Sequence, residues 1–221
     1  MDWSTVAKVT REAFQRGVND WILGSRVQGG RILGPNGELT PGSLASTVNF
    51  EPMIMMALIK AHAPQPLAMA VARELYGAWK EWSDGFRLSM PGAYPTFAAV
   101  PGPYAPPTPA VQTYSLAQGS SVGDYRFRAA VCLDRLRTAL RPYLARDTAG
   151  FEKELGGLAK WIEGSFQEWK TNARLVGVSG KGPAPTFAPP YVPVAPVVMG
   201  DNTTLGGSAI AGPRFGKFVS P

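Results

Sequence analysis

One histidine, one cysteine and sixteen carboxylates are the stock from which this 221-residue chain would have to build side-chain chemistry. His62 stands just before Ala63-Pro64, at the expected end of a helix. A nucleophile relay or a zinc centre needs companions that a lone histidine lacks, so His62 reads as a surface or helix-end residue that suits the C-terminal dipole. Cys132 has no second cysteine to pair with and falls inside a helical pattern, where it reads as a small buried apolar residue. Glu81 with Asp84, and Glu152 with Glu154, are spaced as solvated helix positions rather than as an acid and base facing one substrate. Gly177-Val178-Ser179-Gly180-Lys181-Gly182 has the composition of a phosphate loop. It lacks the spacing, the hydroxyl residue after the lysine and the following helix that a phosphate cradle requires. Asp201-Asn202-Thr203-Thr204 carries oxygen ligands, and an Asx turn is the simpler expectation there than a cation site. No catalytic, cofactor or metal residue is assigned.

Basic residues offer a second kind of chemistry. The net charge is +6, and Arg126, Arg128, Arg135, Arg137, Arg141 and Arg146 fall on one expected helix, residues 125 to 146. Arg128, Arg135 and Arg146 share its side opposite the Leu133 stripe and form a face for phosphate or for an acidic partner. Asp134 interrupts the cluster, and no interleaving of aromatic and basic residues accompanies it. A solvated face, or salt bridges to an acidic neighbouring subunit, is the preferred reading. An adaptor that binds nucleic acid or an acidic partner through this helix is the alternative.

Two charged residues recur in a pattern. Trp79-Lys80-Glu81-Trp82, Arg87-Leu88 and Pro95-Thr96-Phe97-Ala98 return as Phe166-Gln167-Glu168-Trp169, Arg174-Leu175 and Pro185-Thr186-Phe187-Ala188. The offset is 87 residues through Arg174-Leu175 and 90 in the last segment, which is how a diverged duplication accumulates insertions in a loop. Carried back along the helix, the same offset lays Ala68, Val71 and Leu75 on Leu155, Leu158 and Ile162, and Gly77 on Gly164. This is the buried stripe of an amphipathic helix, met twice. Trp79, Trp82, Phe166 and Trp169 are therefore expected in the core of a bundle. Glu81 and Arg87 lie six residues apart, about 240° around a helix, so they do not pair within it. Arg87 and Arg174 are expected to bond carbonyls of the segments that follow them and so fix their exit. An enzyme pairing Glu81 with Glu168 across a pseudo-twofold axis is the third reading, and it needs a pocket between the copies.

Those following segments are unusual. From Ser89 to Gly123 there is no charged residue or histidine, and Pro183 to Gly200 is likewise uncharged. Disordered linkers are poor in aromatics, whereas these stretches hold Tyr94, Phe97, Tyr104, Tyr114, Phe187 and Tyr191 among their prolines. They are expected to be extended arms, the second running from Val178 to Pro221, anchored by Phe97, Tyr104, Phe187 and Tyr191 in apolar pockets.

The remaining elements follow from periodicity. Ser4 or Thr5 caps a first helix to about Leu23, stopped by Gly24. Gly34-Pro35-Asn36-Gly37 reads as the turn of a small β-hairpin between Arg31-Ile32-Leu33 and Glu38-Leu39-Thr40. A second helix spans about Leu44 to Ala61, with Pro52 as a candidate for a later start, and a third runs from Pro64 and Pro66 to about Leu88. A fourth covers Tyr125 to Arg146 with a kink near Pro142, and a fifth extends from Asp147 or Thr148 to about Val176. The expected fold is mainly α, with duplicated helical hairpins forming a four-helix-bundle-like core beside an N-terminal helix, a small hairpin and two Pro-rich arms. Its parts are residues 1–43, 44–123 and 124–221, one compact unit.

Hydrophobic residues make up 45% of the chain, enough for a core, while charged residues are only 17%, beside 21 prolines and 25 glycines. That is little polar surface for a free-standing domain. No secretory signal is apparent at Met1-Asp2-Trp3, and the longest apolar run, Met53 to Ile59, is far below the roughly 20 residues of a membrane span. The combined expectation is a non-enzymatic structural subunit of a large assembly, a bacteriophage virion or related contractile particle, made in the bacterial cytoplasm. Its partners would be other structural proteins of the particle or copies of itself.

Overall fold

The computed structural model describes residues 2–33, 36–91, 98–99, 104–109, 113–143, 148–183, 194–195, 201–204 and 208–216. It is mostly helical, with five α-helices and small antiparallel sheets. Helix α1 (Trp3–Leu23) is capped by Asp2, whose carboxylate accepts the Ser4 amide at 3.0 Å and the Thr5 hydroxyl. The cap therefore lies two residues before Ser4 and three before Thr5, because Asp2 is the residue left in an extended conformation. Val6, Thr10, Ala13, Phe14, Gly17, Val18 and Trp21 form the buried side, and Gly24 closes the helix by donating to Asp20 O.

Strands β1 (Ser25–Val27), β2 (Arg31–Leu33), β3 (Asn36–Leu39) and β4 (Leu44–Ser46) come next. β2 and β3 form the expected hairpin, and Leu33 faces Asn36 across its turn. β1 pairs with β4, so Leu44–Ser46 is strand rather than the start of the second helix. Helix α2 (Glu51–Lys60) begins later, with Pro52 in its first turn where a missing N–H costs nothing. Helix α3 (Gln65–Gly85) follows and leads into β5 (Leu88–Met90), which adds a third strand to the hairpin.

The uncharged stretch contributes β6 (Ala98–Ala99), β7 (Tyr104–Pro109) and β8 (Tyr114–Ser115). A 3-10 turn, Asp124–Phe127, precedes helix α4 (Ala129–Leu140), and Arg141–Tyr143 closes it as another 3-10 turn containing Pro142. The fourth helix is thus shorter at both ends than its hydrophobic pattern suggests. Helix α5 (Thr148–Asn172) follows, and then β9 (Arg174–Leu175), β10 (Val178–Pro183), β11 (Val194–Ala195), β12 (Asp201–Thr204) and β13 (Ile210–Ala211). Among the described residues no helix is long and apolar enough to cross a membrane.

Helix contacts run α1 to α2, α2 to α3, α3 to α4, α4 to α5 and from α5 back to α1. Helix α1 is therefore a full member of the core, not an addition beside four helices. Its amphipathic stripe ends in Trp21, which meets Trp79 at 5.4 Å and Trp82 at 6.4 Å between ring centroids.

The second uncharged stretch is not a tail. From Leu175 to Ser208 the described residues stay against the body: Val178 is buried, β10 contacts β2, β12 contacts β1, β2 and β3, Val176 N–H donates to Ala209 O at 2.9 Å and β13 pairs with β9. Between these points β10 pairs with β12 on one side and with β7 of the first stretch on the other, and β11 pairs with β6. The first stretch is also closed at its base: Tyr114 Oη donates to Pro91 O at 3.1 Å, and Arg87 pairs with Ser120. Of the four aromatic anchors, Phe97, Phe187 and Tyr191 lie outside the described residues, and Tyr104 is placed by its backbone at the start of β7.

Candidate functional site

The centre of the molecule is aromatic. Trp79, Trp82, Phe166 and Trp169 are at most 2% exposed, and Phe14, Phe50, Phe127 and Phe215 close around them. Trp79 lies 5.4 Å from Trp169 and Trp82 lies 5.6 Å from Phe166, centroid to centroid, while Phe127 stacks on Phe166 at 3.9 Å. The indole N–H groups of Trp79, Trp82 and Trp169 reach no oxygen acceptor. Their surroundings are rings: Trp79 stands at 88° to 89° to Phe127, Phe166 and Phe215. This centre is a packed aromatic core.

Charge gathers at its edge, where the turn Asp124–Phe127 is wedged between α3 and α5. The Arg126 guanidinium, 10% exposed, donates to Glu74 and Glu81 of α3. Lys170 of α5 bonds Asp124 at 2.7 Å. Burial alone would depress Arg126, but its two carboxylate partners raise it above the usual arginine range. Gly123 is required here because a Cβ would lie 2.5 Å from Trp82 N. Glu81 is also within 3.4 Å of Tyr125 Oη, whereas the hydrogen bond made at Glu168 is through its backbone carbonyl, to Asn172. Glu81 and Glu168 therefore have different surroundings, and Glu81 is engaged by a cation.

The two arginines of the recurring pattern make different contacts among the described residues. Arg174 Nη1 donates to Thr171 O at 2.7 Å, Ala173 O at 3.1 Å and Ser115 Oγ at 3.1 Å, so it meets carbonyls at the end of α5 and a hydroxyl of the first uncharged stretch. The Arg87 side chain is exposed, and its backbone exchanges both hydrogen bonds with Ser120 at 2.8 and 3.0 Å. Helix ends carry unpaired carbonyls, and the Arg174 guanidinium, two residues beyond α5, reaches them.

Other sequence candidates resolve simply. His62 is exposed and adopts φ 61°, at the turn between α2 and α3. Cys132 is buried, which pushes its thiol up to about 12. Gly177 with φ 62° starts a turn into a strand, not into a helix, and Asp201–Thr204 is strand β12 rather than an Asx turn. On the arginine helix, Arg137 makes paired hydrogen bonds of 3.0 Å to Glu152 and also meets Asp134. Arg128 and Arg135 are exposed, and Arg146 lies outside the described residues. No group of three or more His, Cys, Asp or Glu suited to a metal ion occurs among the described residues.

Two features escaped the sequence. Helix α2 is apolar almost all round, yet only Ile54 and Leu58 are buried; Met56 is 48% exposed and Pro52 lies beside it on the outer side. Such a helix normally sits inside a protein. The second is Phe215, fully buried among Phe14, Trp79, Trp161 and Trp169, although it lies in a Gly-rich tail with no periodicity. Comparison with known families, curated proteins and solved structures finds no match.

Proposed function

We propose that this chain is a non-enzymatic structural subunit of a large assembly, a bacteriophage virion or a related contractile particle, in which the two uncharged stretches grip neighbouring subunits. The observation that carries the reading is the pairing of those stretches. β6 joins β11, and β7 joins β10, which enters the second stretch at Pro183, so the two stretches are joined through backbone hydrogen bonds. Proline-rich stretches without charge suit burial against a neighbour better than water. The apolar outer side of α2 favours the same conclusion, since a neighbour would cover it.

The helical hairpins, α2 with α3 and α4 with α5, are read as diverged copies, each followed by a proline-rich arm. Under the 87-residue offset Trp79 and Trp82 exchange with Phe166 and Trp169. The Trp79–Trp169 and Trp82–Phe166 contacts are then equivalents, and their 5.4 and 5.6 Å separations fit a pseudo-twofold axis. A duplicated unit presents two related grips in one subunit, which suits lattice contacts.

Purification of the particles through a density gradient, with quantitative mass spectrometry, tests the proposal. The chain should band with the particles in a fixed ratio to their other components, and its loops should resist protease there more than in the isolated chain. Recovery only in the soluble fraction would overturn it.

A further inference from the structure

Helices α4 and α5 leave a groove of about 700 Å³ on their exposed side. Its floor is the half-buried Leu133, with Ala129, Ala130, Gly156 and Gly157 around it. Two adjacent glycines in the middle of a helix weaken it relative to alanine. Packing within the chain does not call for them. A Cβ added at Gly156 would meet Leu133 Cδ2 at an ordinary 3.7 Å, and one at Gly157 would meet nothing within 4 Å. Their effect is to lower one wall of the groove, so that a third backbone can come close to α5.

The rim is charged. Arg128, Lys153 and Lys160 line the groove together with Glu152 and Glu163. Glu152 is already taken by Arg137 through two hydrogen bonds of 3.0 Å, and Lys153 lies 3.5 Å from Glu154. Arg128 and Lys160 are exposed and meet no carboxylate within 4 Å among the described residues, which leaves two free cations to the one free carboxylate of Glu163. Arg135 turns instead toward Tyr125 Oη at 3.5 Å, so of the described arginines on that face only Arg128 lines the groove.

An apolar floor between free cations calls for a partner whose apolar side is flanked by carboxylates. Both walls are helices whose backbone groups bond internally. They offer no edge to an extended peptide, whereas a helix brings its own backbone hydrogen bonds. The α5 wall runs from Glu152 to Glu163, which at 1.5 Å per residue is about 16 Å, or three helical turns. Nucleic acid fits less well, because two carboxylates stand in the lining and no aromatic ring among the described residues lines it for a base to stack on. A second copy also fits less well. Glu74 and Glu81 of α3 are held by Arg126 and Asp84 by Lys80, and Glu51 of the apolar helix α2 lies 3.6 Å from Arg73.

We infer that the groove between α4 and α5 is a docking site for an acidic amphipathic helix of a partner subunit. An apolar side chain of that helix rests on Leu133 and the Gly156-Gly157 wall, and its carboxylates meet Arg128 and Lys160. The inference gives a partner of the structural reading its chemistry, and rests on that reading only for where the partner is found.

Fluorescence anisotropy with the full chain tests it. The probe is a labelled, helix-stapled peptide of about twelve residues, with leucines at i, i+4 and i+7 and glutamates elsewhere; the staple is needed because so short a helix is marginal in water. The controls are the same peptide with lysine for glutamate and a labelled single-stranded oligonucleotide. The glutamate peptide should bind with a Kd tighter than about 1 mM, and the lysine peptide should not. Gly157→Leu fills the groove, and Lys160→Glu reverses its rim; each should weaken the glutamate peptide by about tenfold or more. Leucine is also the better helix former, so Gly157→Leu should melt no earlier than the unaltered chain. If it does melt earlier, Lys160→Glu, at an exposed position, decides the matter alone. Absence of glutamate-peptide binding would overturn the inference, as would equal affinity in the variants. So would an oligonucleotide that binds more tightly than the peptide and is lost with the same substitutions. A chain that bands with particles yet ignores the peptide leaves the structural reading standing and removes only the groove.

Discussion

Arg126 joins Glu74 and Glu81, two carboxylates seven residues apart on one side of α3, through a guanidinium that is 10% exposed. One cation thus holds two acids, and the turn that carries it is fixed against the helix. Phe127, the next residue, is stacked on Phe166 as a result. The polar edge and the aromatic centre are one arrangement.

Removing Arg126 leaves two carboxylates without their partner. Arg126→Ala should lower stability by about 2–3 kcal/mol, below the 3–5 kcal/mol of a fully buried pair because Glu81 is about one-third exposed. Urea denaturation of Arg126→Ala, Glu74→Gln and the double variant measures the coupling. A loss under 0.5 kcal/mol would mean that the turn is held by Phe127 alone.

What was legible in the sequence was local. Leu155, Leu158, Ile162, Phe166 and Trp169 announce a buried stripe because an α-helix repeats every 3.6 residues, and all five are buried. The start of α2 was obscured because Leu44–Ser46 is taken into a sheet by Ser25–Val27, a partner that no local window contains. Phe215 was missed for the same reason, since the residues that hold it are about 200 positions away. The internal repeat raised Arg87 and Arg174 as a pair, but their neighbours differ: one meets Ser120 through its backbone, the other Ser115 and its own helix end through its side chain.

Glycine positions separate helix design from packing. At Gly77 and Gly164, which the 87-residue offset relates, an added Cβ meets nothing within 4 Å. Gly77→Ala and Gly164→Ala should each stabilise the isolated chain by about 0.5–1 kcal/mol through helix propensity. At Gly17 the same change places a Cβ 2.5 Å from Phe50 Cβ and should cost about 1–3 kcal/mol. Thermal melts of the three variants should give two increases in Tm and one decrease.

Cys132 reports on unfolding. Burial raises its thiol from near 9 to about 12, so the folded state holds the proton more tightly than the unfolded chain. Its contribution is fully present below pH 9 and is lost as pH rises toward 12, with the unfolding constant increasing about tenfold per pH unit across that window. A thiol reagent at neutral pH should leave the native chain unmodified and react once in urea. Comparison of alkaline stability with Cys132→Ala isolates this contribution, and identical pH profiles would show that the thiol ionises equally in both states.

Met56 distinguishes a surface kept apolar for folding from one kept apolar for association. It is 48% exposed, its neighbours Met53, Met55 and Ile59 are half-buried, and the helix is held to the body by Ile54 and Leu58 on its other side. A lysine at this position keeps its charge in water and removes no buried contact. Met56→Lys should therefore change the stability of the isolated chain by no more than about 0.5 kcal/mol. An interface built on the same side would have to bury that ammonium, and the resulting desolvation should sharply reduce incorporation into particles. The paired measurement is a denaturant midpoint for the free chain and competition between wild-type and variant chains during assembly. Equal incorporation would assign the outer side of α2 to solvent, while a lowered midpoint would mean that Met56 supports the fold more than its exposure indicates.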